Sequence, residues 1–374
     1  MNQYFATVAR GLEALAAQEL TELGAQFTEI GFCGVFFQGD IALLYKVNLW
    51  ARLPFRILFE LTQFPCADGD DLFEGLQKID WSQYLTPELT LAVTVTGKTE
   101  KLNHSHFTAV QAKRAIVDQQ QKQFGARSDV DTDNPAVRVN VHIHQEVCTV
   151  SLDSSGNSLH RRGYRAAVGD APLKESLAAA LIKISGWQPN VAFFDPLCGS
   201  GTLPMEATMA GLNIAPGIFR EQFGFESWPS FDEPLFDKLF KEAEASEIGE
   251  LTVPILASDH NWAVVEQAKS NAVSCGIDRH IQFAQRELAD VEAPADSGVL
   301  MCNPPYGVRL GRNEDLGDFY RLLGDVLKHR FKGWTVYVLS GNKELAKSIG
   351  LRSAARTAVY NGTIPCQLMK YEMY

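Results

Sequence analysis

The sequence predicts an α/β protein in three parts, the last of them a doubly wound parallel sheet. Three observations carry that prediction. From about residue 173 strands and helices alternate, as they do when a parallel sheet is covered by helices on both faces. Within that stretch a continuous apolar strand, Val191–Asp195, ends in a carboxylate and runs straight into a glycine-rich turn. Upstream the pattern resets near residue 66 and again at a basic stretch, 158–172, which marks out regions 1–65, 66–157 and 158–374.

Bulk properties bound the reading. A chain of 374 residues is long enough for two or three domains. Its 46% hydrophobic and 21% charged residues are those of a globular protein. No apolar run is long enough to suggest a membrane span, and the N-terminus lacks the basic start and cleavage site of a signal peptide. The seven cysteines are scattered and never spaced C-x-x-C, which fits a reducing cytoplasm and gives no zinc signature. A net charge of −11 disfavours a protein that coats nucleic acid, so any such contact must come from local patches. There is no internal repeat.

In the first region, residues 3–9 read as a strand and 11–24 as a helix stopped by Gly24. Residues 34–40 read as a strand and turn, 41–50 as a helix and 56–64 as a strand. In the second, DDLFEGLQKIDWSQYL reads as an amphipathic helix and turn, 89–97 as a β-branched strand and 106–125 as a helix. The alternation in Val137–His144 and Glu146–Asp153 predicts a hairpin. In the third, a basic linker (158–172) leads to a helix (173–186). Strands PILASD, IQFAQ, GVLMCNPP and WTVYVLSG then alternate with helices. The aromatic and acidic segment 217–250 interrupts that alternation and is expected to be a solvated surface excursion.

The turn after Val191–Asp195 has the makings of a cofactor loop. Gly199 and Gly201 let backbone N–H groups approach a ligand, and the following helix adds its N-terminal dipole. Pro204 replaces the third glycine of the dinucleotide fingerprint, and the Walker lysine is absent, so a phosphate site is disfavoured. An acid at the strand end suits a cationic ligand such as S-adenosylmethionine (SAM). Asp259, at the end of the next strand, is placed to accept both ribose hydroxyls. Alone it reads equally as the N-cap of the NWAVVEQ helix; beside Asp195 and the glycines the cofactor reading prevails. Glu287, after strand IQFAQ, is a candidate adenine contact.

Asn303-Pro304-Pro305-Tyr306 follows another buried strand. Two prolines stiffen the turn and remove two donors. The Asn303 side-chain oxygen and the Pro304 carbonyl are then available to accept both N–H bonds of an exocyclic amino group on a base. Tyr306 is placed to stack on that base. A rigid structural turn would account for one proline but hardly for the tetrad. Cys198 and Cys302 read as small core residues rather than nucleophiles. The pairs His104/His106 and His142/His144 have no accompanying ligand cluster, and no metal is expected. Over 97–165 there are ten Lys and Arg against seven Asp and Glu, a positive island suited to phosphate.

These residues carry a resemblance. NHSHFTAVQAKRAIVDQQ (103–120) and VRVNVHIHQEVCTVSLDSSGNSLHRRGYR (137–165) resemble the THUMP RNA-binding domain and the linker after it. DPLCGSGTLPMEA, ASDHN, NPPYGVRLG and the tail NGTIPCQLMKYEM are similar to the class I methyltransferase domain of the bacterial large-subunit rRNA guanine-N2 methyltransferases, the methyltransferase L family. The resemblance runs essentially end to end. It implies a ferredoxin-like domain at 1–65, a THUMP domain at 66–157 and a Rossmann-like catalytic domain at 158–374. It further implies SAM as methyl donor and N2 of a guanine in 23S rRNA as acceptor, with tRNA as the next acceptor to consider. Asp195, Gly199, Ser200, Gly201 and Thr202 become the cofactor loop, Asp259 the ribose acid, and Asn303–Tyr306 the catalytic turn. Residues 160–165 with Lys174 and Glu175 are expected to close over the cofactor. Lys98, Lys101, His104, Lys113, Arg114, Arg161, Arg162 and Arg165 are expected to face RNA. Some family members carry a second methyltransferase domain; this chain stops at Tyr374, so a single activity is expected. An Arg-Glu pair (286–287) stands where the family places the adenine acid. A DNA adenine methylase shares the tetrad but not the THUMP-like half. A non-catalytic RNA-binding assembly factor is the remaining alternative.

Overall fold

A computed structural model describes residues 1–165, 173–306 and 316–374. The end of the predicted linker, 166–172, and the GVRLG end of the turn motif, 307–311, lie outside the described residues. The chain divides into two compact units. The first takes Met1–Val8, Ala16–Leu159 and Arg220–Lys241; the second takes Ala9–Leu15, His160–Phe219 and Glu242–Tyr374. Among the described residues no helix is long and apolar enough to cross a membrane.

The chain opens with β1 (Asn2–Thr7), α1 (Glu13–Leu23), β2 (Gln26–Gly31), β3 (Gly34–Gly39), α2 (Ile41–Trp50) and β4 (Arg56–Pro65). It continues with α3 (Gly69–Gln77), β5 (Leu91–Gly97), α4 (Ser105–Phe124), β6 (Val137–His144) and β7 (Val147–Asp153). The strands form one sheet in the order β2-β3-β1-β4-β7-β6-β5. Local chemistry sets the boundaries. Asp40 caps α2 through the Leu43 N–H, and Gly125 ends α4 in the left-handed conformation. Along β6, Val137, Val139, Val141 and Ile143 are buried while the residues between them face outward. Two features differ from expectation. The antiparallel pairing of β4 with β7 carries the sheet across the boundary expected at 65–66, so both N-terminal regions share one sheet. The edge strand β2, which sequence did not predict, is exposed along most of its length and leaves no alternating pattern to read.

From His160 the chain builds α5 (Glu175–Ser185), β8 (Phe193–Asp195) and α6 (Thr202–Gly211). Helix α7 (Glu233–Ala245) follows. Then come β9 (Ile255–Asp259), α8 (Trp262–Ser274), β10 (Ile281–Gln285), β11 (Gly298–Cys302), α9 (Leu316–Arg330) and β12 (Trp334–Ser340). The chain closes with α10 (Lys343–Ser348), β13 (Ala355–Asn361) and β14 (Ile364–Glu372). The second sheet has the order β10-β9-β8-β11-β12-β14-β13. Strands β8 to β12 are parallel; β14 is antiparallel to both β12 and β13. Strand order reverses beside β8, with β9 on one side and β11 on the other. Open α/β sheets bind ligands at that reversal, beyond the carboxyl ends of the strands.

Segment 217–250 is not the solvated excursion expected of it. Its acidic residues Asp232, Glu233 and Asp237 are exposed, but Phe223, Phe225, Trp228 and Phe236 are buried. Residues 220–241 belong to the first unit. There Phe225 stacks on Tyr45 at 4.4 Å between ring centroids, and Trp228 meets Phe59 and Tyr84. The Asp232 N–H donates to Tyr45 Oη at 3.0 Å. Gly224 passes so close to the first unit's backbone that a Cβ on it would lie 2.6 Å from the Asp153 carbonyl oxygen. Arg220 donates to the carbonyls of Ser155, Asn157 and Ser158. Acidic composition described the solvent side of the segment and concealed its aromatic side.

Candidate active site

The acids and the amide expected to hold cofactor and base sit where parallel strands end. Asp195 closes β8, Asp259 closes β9, and Asn303 follows β11. Asp195 is 1% exposed and accepts the Leu197 N–H at 3.1 Å. Burial holds its carboxyl well above the usual carboxylate range, and the charge of Asp259 adds to the rise. A cation beside it would be bound best by the ionised form.

The loop from β8 to α6 needs its glycines. Gly199 has φ +52° and Gly201 has φ +85°, both in the left-handed region. A Cβ on Gly199 would meet nothing within 4 Å, so that backbone borders open space. A Cβ on Gly201 would lie 3.0 Å from Ala268, which fixes the packing of the loop on α8. Gly201 caps α6 without a side chain, so first-turn N–H groups of α6 stay free of side-chain capping. Asp259 ties the loop down: Oδ2 accepts the Gly199 N–H at 3.1 Å and Oδ1 accepts the Asn261 N–H at 3.0 Å. The N-cap of α8 is Asn261, not Asp259. Each Asp259 oxygen keeps further acceptor capacity. Glu287 is exposed and lines a cavity of about 380 Å³ with Gln285, Arg286 and Asp290. The Arg286 N–H donates to the Asp259 carbonyl, which sets this cavity beside the β9 end.

In the described part of the basic stretch, Arg162 and Arg165 turn inward onto carboxylates instead of lying exposed as an RNA-facing residue would. Arg162 is buried and forks onto Glu206 of α6, Nε to Oε1 at 3.2 Å and Nη2 to Oε2 at 3.4 Å. Burial is the largest single influence on Arg162 and would lower its pKa, but the charge and hydrogen bond of Glu206 together with the charge of Glu175 outweigh it and raise it. Arg165 pairs with Glu175 at the start of α5. Its remaining N–H groups reach Ser200 Oγ at 3.2 Å, Thr202 Oγ1 at 2.8 Å and the Leu173 carbonyl at 3.1 Å. Arg165 and Glu175 thus brace the glycine loop. Sequence reading placed these arginines on the RNA face because it counted local charge; their acidic partners lie 44 and 10 residues away.

At the β11 end, Asn303 is half-buried, and its Oδ1 is fully buried without a hydrogen-bond partner among the described residues. A buried acceptor left alone is costly, so its presence marks a place for a donor. The tetrad is held from behind. Tyr320 Oη donates to the Pro305 carbonyl at 3.2 Å and lies 3.4 Å from Ser340 Oγ. Burial pushes the Tyr320 hydroxyl up to about 12, so it stays a neutral donor. Tyr306 Oη accepts from Asn361 Nδ2 at 2.9 Å. Sequence reading missed Tyr320 and Asn361, which come from far along the chain. Cys198 and Cys302 are buried, and burial raises both thiols well above their ordinary value, which suits core residues.

The site fits SAM. It offers a buried carboxyl with no cation paired to it among the described residues, an open glycine backbone, a second strand-end carboxylate and a cavity next to it.

The remaining RNA-facing candidates divide between the units. Arg161 is exposed in the second unit. In the first, Lys98, Lys101, His104 and Arg114 are exposed and Lys113 is half-exposed, on or just before α4. Lys101 pairs with Asp68 and Arg114 with Asp118. His104 is the N-cap of α4, its Nδ1 accepting the Phe107 N–H at 3.3 Å. Phe107 is 60% exposed beside them, an aromatic that the helical pattern gave no reason to expose. Among the described residues no three metal-ligating side chains gather.

Family models match the RMKL-like methyltransferase domain over residues 162–370, the THUMP domain over 66–153 and the RlmL ferredoxin-like domain over 3–58. A protein of Synechocystis sp., named "Putative RNA methyltransferase slr0064", is 54% identical over 99% of this chain and 97% of its own length. The ribosomal RNA large subunit methyltransferase K/L of Syntrophotalea carbinolica is 39% identical over 99% of this chain and 53% of its own. The chain thus spans about half the length of such K/L relatives. A crystal structure described as a "putative methyltransferase complexed with SAH" is 32% identical, with TM-score 0.90 over 100% of this chain and 98% of its own. A "predicted N6-adenine-specific DNA methylase" from Listeria monocytogenes is also 32% identical, with TM-score 0.88 over 100% of this chain and 96% of that one.

Proposed function

This chain belongs to the family of RMKL-like, SAM-dependent methyltransferases, and we propose that it methylates the exocyclic N2 of a guanine in 23S rRNA. The observation that carries the proposal is the buried, unpartnered Oδ1 of Asn303 beyond β11. SAM supplies an electrophilic methyl group. Asp195, the Gly199–Thr202 loop, Asp259 and Glu287 would hold it. The amino nitrogen of guanine is a poor nucleophile because its lone pair is delocalised into the ring. Asn303 Oδ1 and the Pro304 carbonyl accept its two N–H bonds, turn the nitrogen toward the methyl group and stabilise the charge that develops on it. Once methylated, that nitrogen is acidic enough to lose its proton to water, so no strong base is needed. Tyr306 packs against the extruded base.

RNA as the substrate class is supported by the THUMP match and by the names of the relatives. Lys98, Lys101, His104, Lys113 and Arg114 supply the docking surface on the first unit, with Arg161 on the second. The tetrad would serve adenine N6 equally well, as the name of the Listeria protein suggests for that protein. The THUMP domain favours RNA.

The test is transfer from labelled SAM into total RNA from cells that lack the protein, followed by size fractionation and digestion to nucleosides. N2-methylguanosine in 23S rRNA is expected. Label in tRNA would keep the chemistry and overturn the substrate. N6-methyladenosine would overturn the base. No label in free RNA or in ribosomal particles, despite SAM binding, would leave the non-catalytic alternative.

A further inference from the structure

The tail motif NGTIPCQLMKYEM carried a resemblance but no role, and the structure supplies one. Three groups converge on the Tyr306 ring. Asn361 Nδ2, at the end of β13, donates to Tyr306 Oη at 2.9 Å. Cys366 Sγ, on β14, lies 3.6 Å from the same oxygen and 3.6 Å from the Ile364 carbonyl, so its one weak S–H serves either acceptor. Gly341, just after β12, lies so near the ring that a Cβ there would fall 2.8 and 2.9 Å from two ring carbons. Burial raises the Tyr306 hydroxyl above its ordinary value, so the phenol stays neutral.

We infer that Asn361 is a positioning residue for methyl transfer, acting through Tyr306: its side-chain amide fixes the tilt of the ring that packs against the target base. The inference rests on the reading of Asn303–Tyr306 as the base-binding turn. A ring needed only as apolar filling would be served by phenylalanine. Here the hydroxyl is bonded and the ring edge abuts Gly341, so two separate contacts define the ring plane. The hydroxyl contact comes from the antiparallel β13 and the ring-edge contact from the end of β12, so neither comes from β8, β9 or β10, which carry the cofactor candidates. Methyl transfer depends on alignment of nitrogen, methyl carbon and sulfur, and a displacement of about 1 Å can cost about 100-fold in rate. Asn361 also faces Ile364 across the two-residue turn of the β13–β14 hairpin, so a purely structural role must be separated from a positioning one.

A double-mutant cycle makes the separation. Full-length wild type, Asn361→Ala, Tyr306→Phe and the double variant are compared for kcat and KM with RNA and for SAM affinity. Each single variant is expected to lose about 10-fold in kcat, with SAM affinity unchanged, a tenth of the loss that a full ångström of displacement can bring. The double variant is expected to lose no more than either single, because both remove one bond. Asn361→Leu keeps the size but offers no polar group to the Tyr306 hydroxyl and should behave like Asn361→Ala. Gly341→Ala keeps every polar group and should lower kcat by displacing the ring. A wild-type kcat in Asn361→Ala, or losses that multiply in the double variant, would overturn the inference. A wild type that transfers no methyl to RNA would overturn the base-binding reading itself; transfer by wild type with an unimpaired Asn361→Ala would overturn the positioning role alone.

Discussion

The two seven-stranded sheets of this protein handle polar side chains in opposite ways. Along β6 of the first unit they lie on one face: Arg138, Asn140, His142 and His144 alternate outward while Val137, Val139, Val141 and Ile143 fill the core. In the second they gather at strand ends, where Asp195, Asp259 and Asn303 follow β8, β9 and β11. The first sheet, antiparallel except for its β5–β6 pair, leaves a face to solvent and can offer a broad contact surface. The parallel sheet is covered on both faces, so its chemistry is confined to one edge where strand order reverses. The second unit accordingly buries ionised groups beside its site, with Arg162 on Glu206 and Arg165 on Glu175. The first unit relies on an aromatic cluster, part of which it draws from residues 220–241.

The largest effect should come from breaking the buried pair. Arg162→Ala leaves the Glu206 charge buried and alone, and is expected to lower stability by about 3–5 kcal/mol in denaturant unfolding. A loss below about 1 kcal/mol, the range of an exposed pair, would contradict its structural assignment. Phe225→Ala should cost about 3 kcal/mol, with faster amide exchange confined to the first unit. Faster exchange in the second unit instead would break the comparison.

Asp195 gives a pH test. Its pKa is raised by burial, and a bound cation favours the carboxylate. SAM affinity should therefore rise as pH climbs through the Asp195 titration and level off above it. Asp195→Asn should weaken SAM binding about 10–100-fold and flatten that rise. Calorimetric titration across pH checks both, and an unchanged slope in the variant would remove Asp195 from the cofactor site. The smallest effect belongs to the exposed face. Arg114→Ala removes an ion pair exposed on a helix and should change stability by less than about 0.5 kcal/mol. It should weaken RNA binding a few-fold and lower the salt-dependence slope by about one.

What could be read in the sequence followed from how local each signal was. Asp195, Asp259 and Asn303 stand in short motifs that end apolar strands, so a few neighbours sufficed to place them at strand ends. The alternating β6 and the βα repeats were legible for the same reason. Strands β2 and β13 were not, because most of their residues are exposed and carry no periodic pattern. The β13–β14 pair, antiparallel to its neighbours, has no place in a βα alternation. Arg162 and Arg165 looked like surface charge because their acidic partners are distant in sequence. Tyr320, Gly341 and Asn361 converge on the tetrad only through the fold.

The most direct test compares wild type with Asn303→Ala in single-turnover methyl transfer, with SAM affinity measured on the same preparations. The account predicts a loss of about 100-fold or more in transfer, the scale for one preorganised hydrogen-bonding group, with SAM affinity within about two-fold of wild type. Transfer at the wild-type rate, or a parallel loss of SAM binding, would contradict the assignment of Asn303 to the amino group.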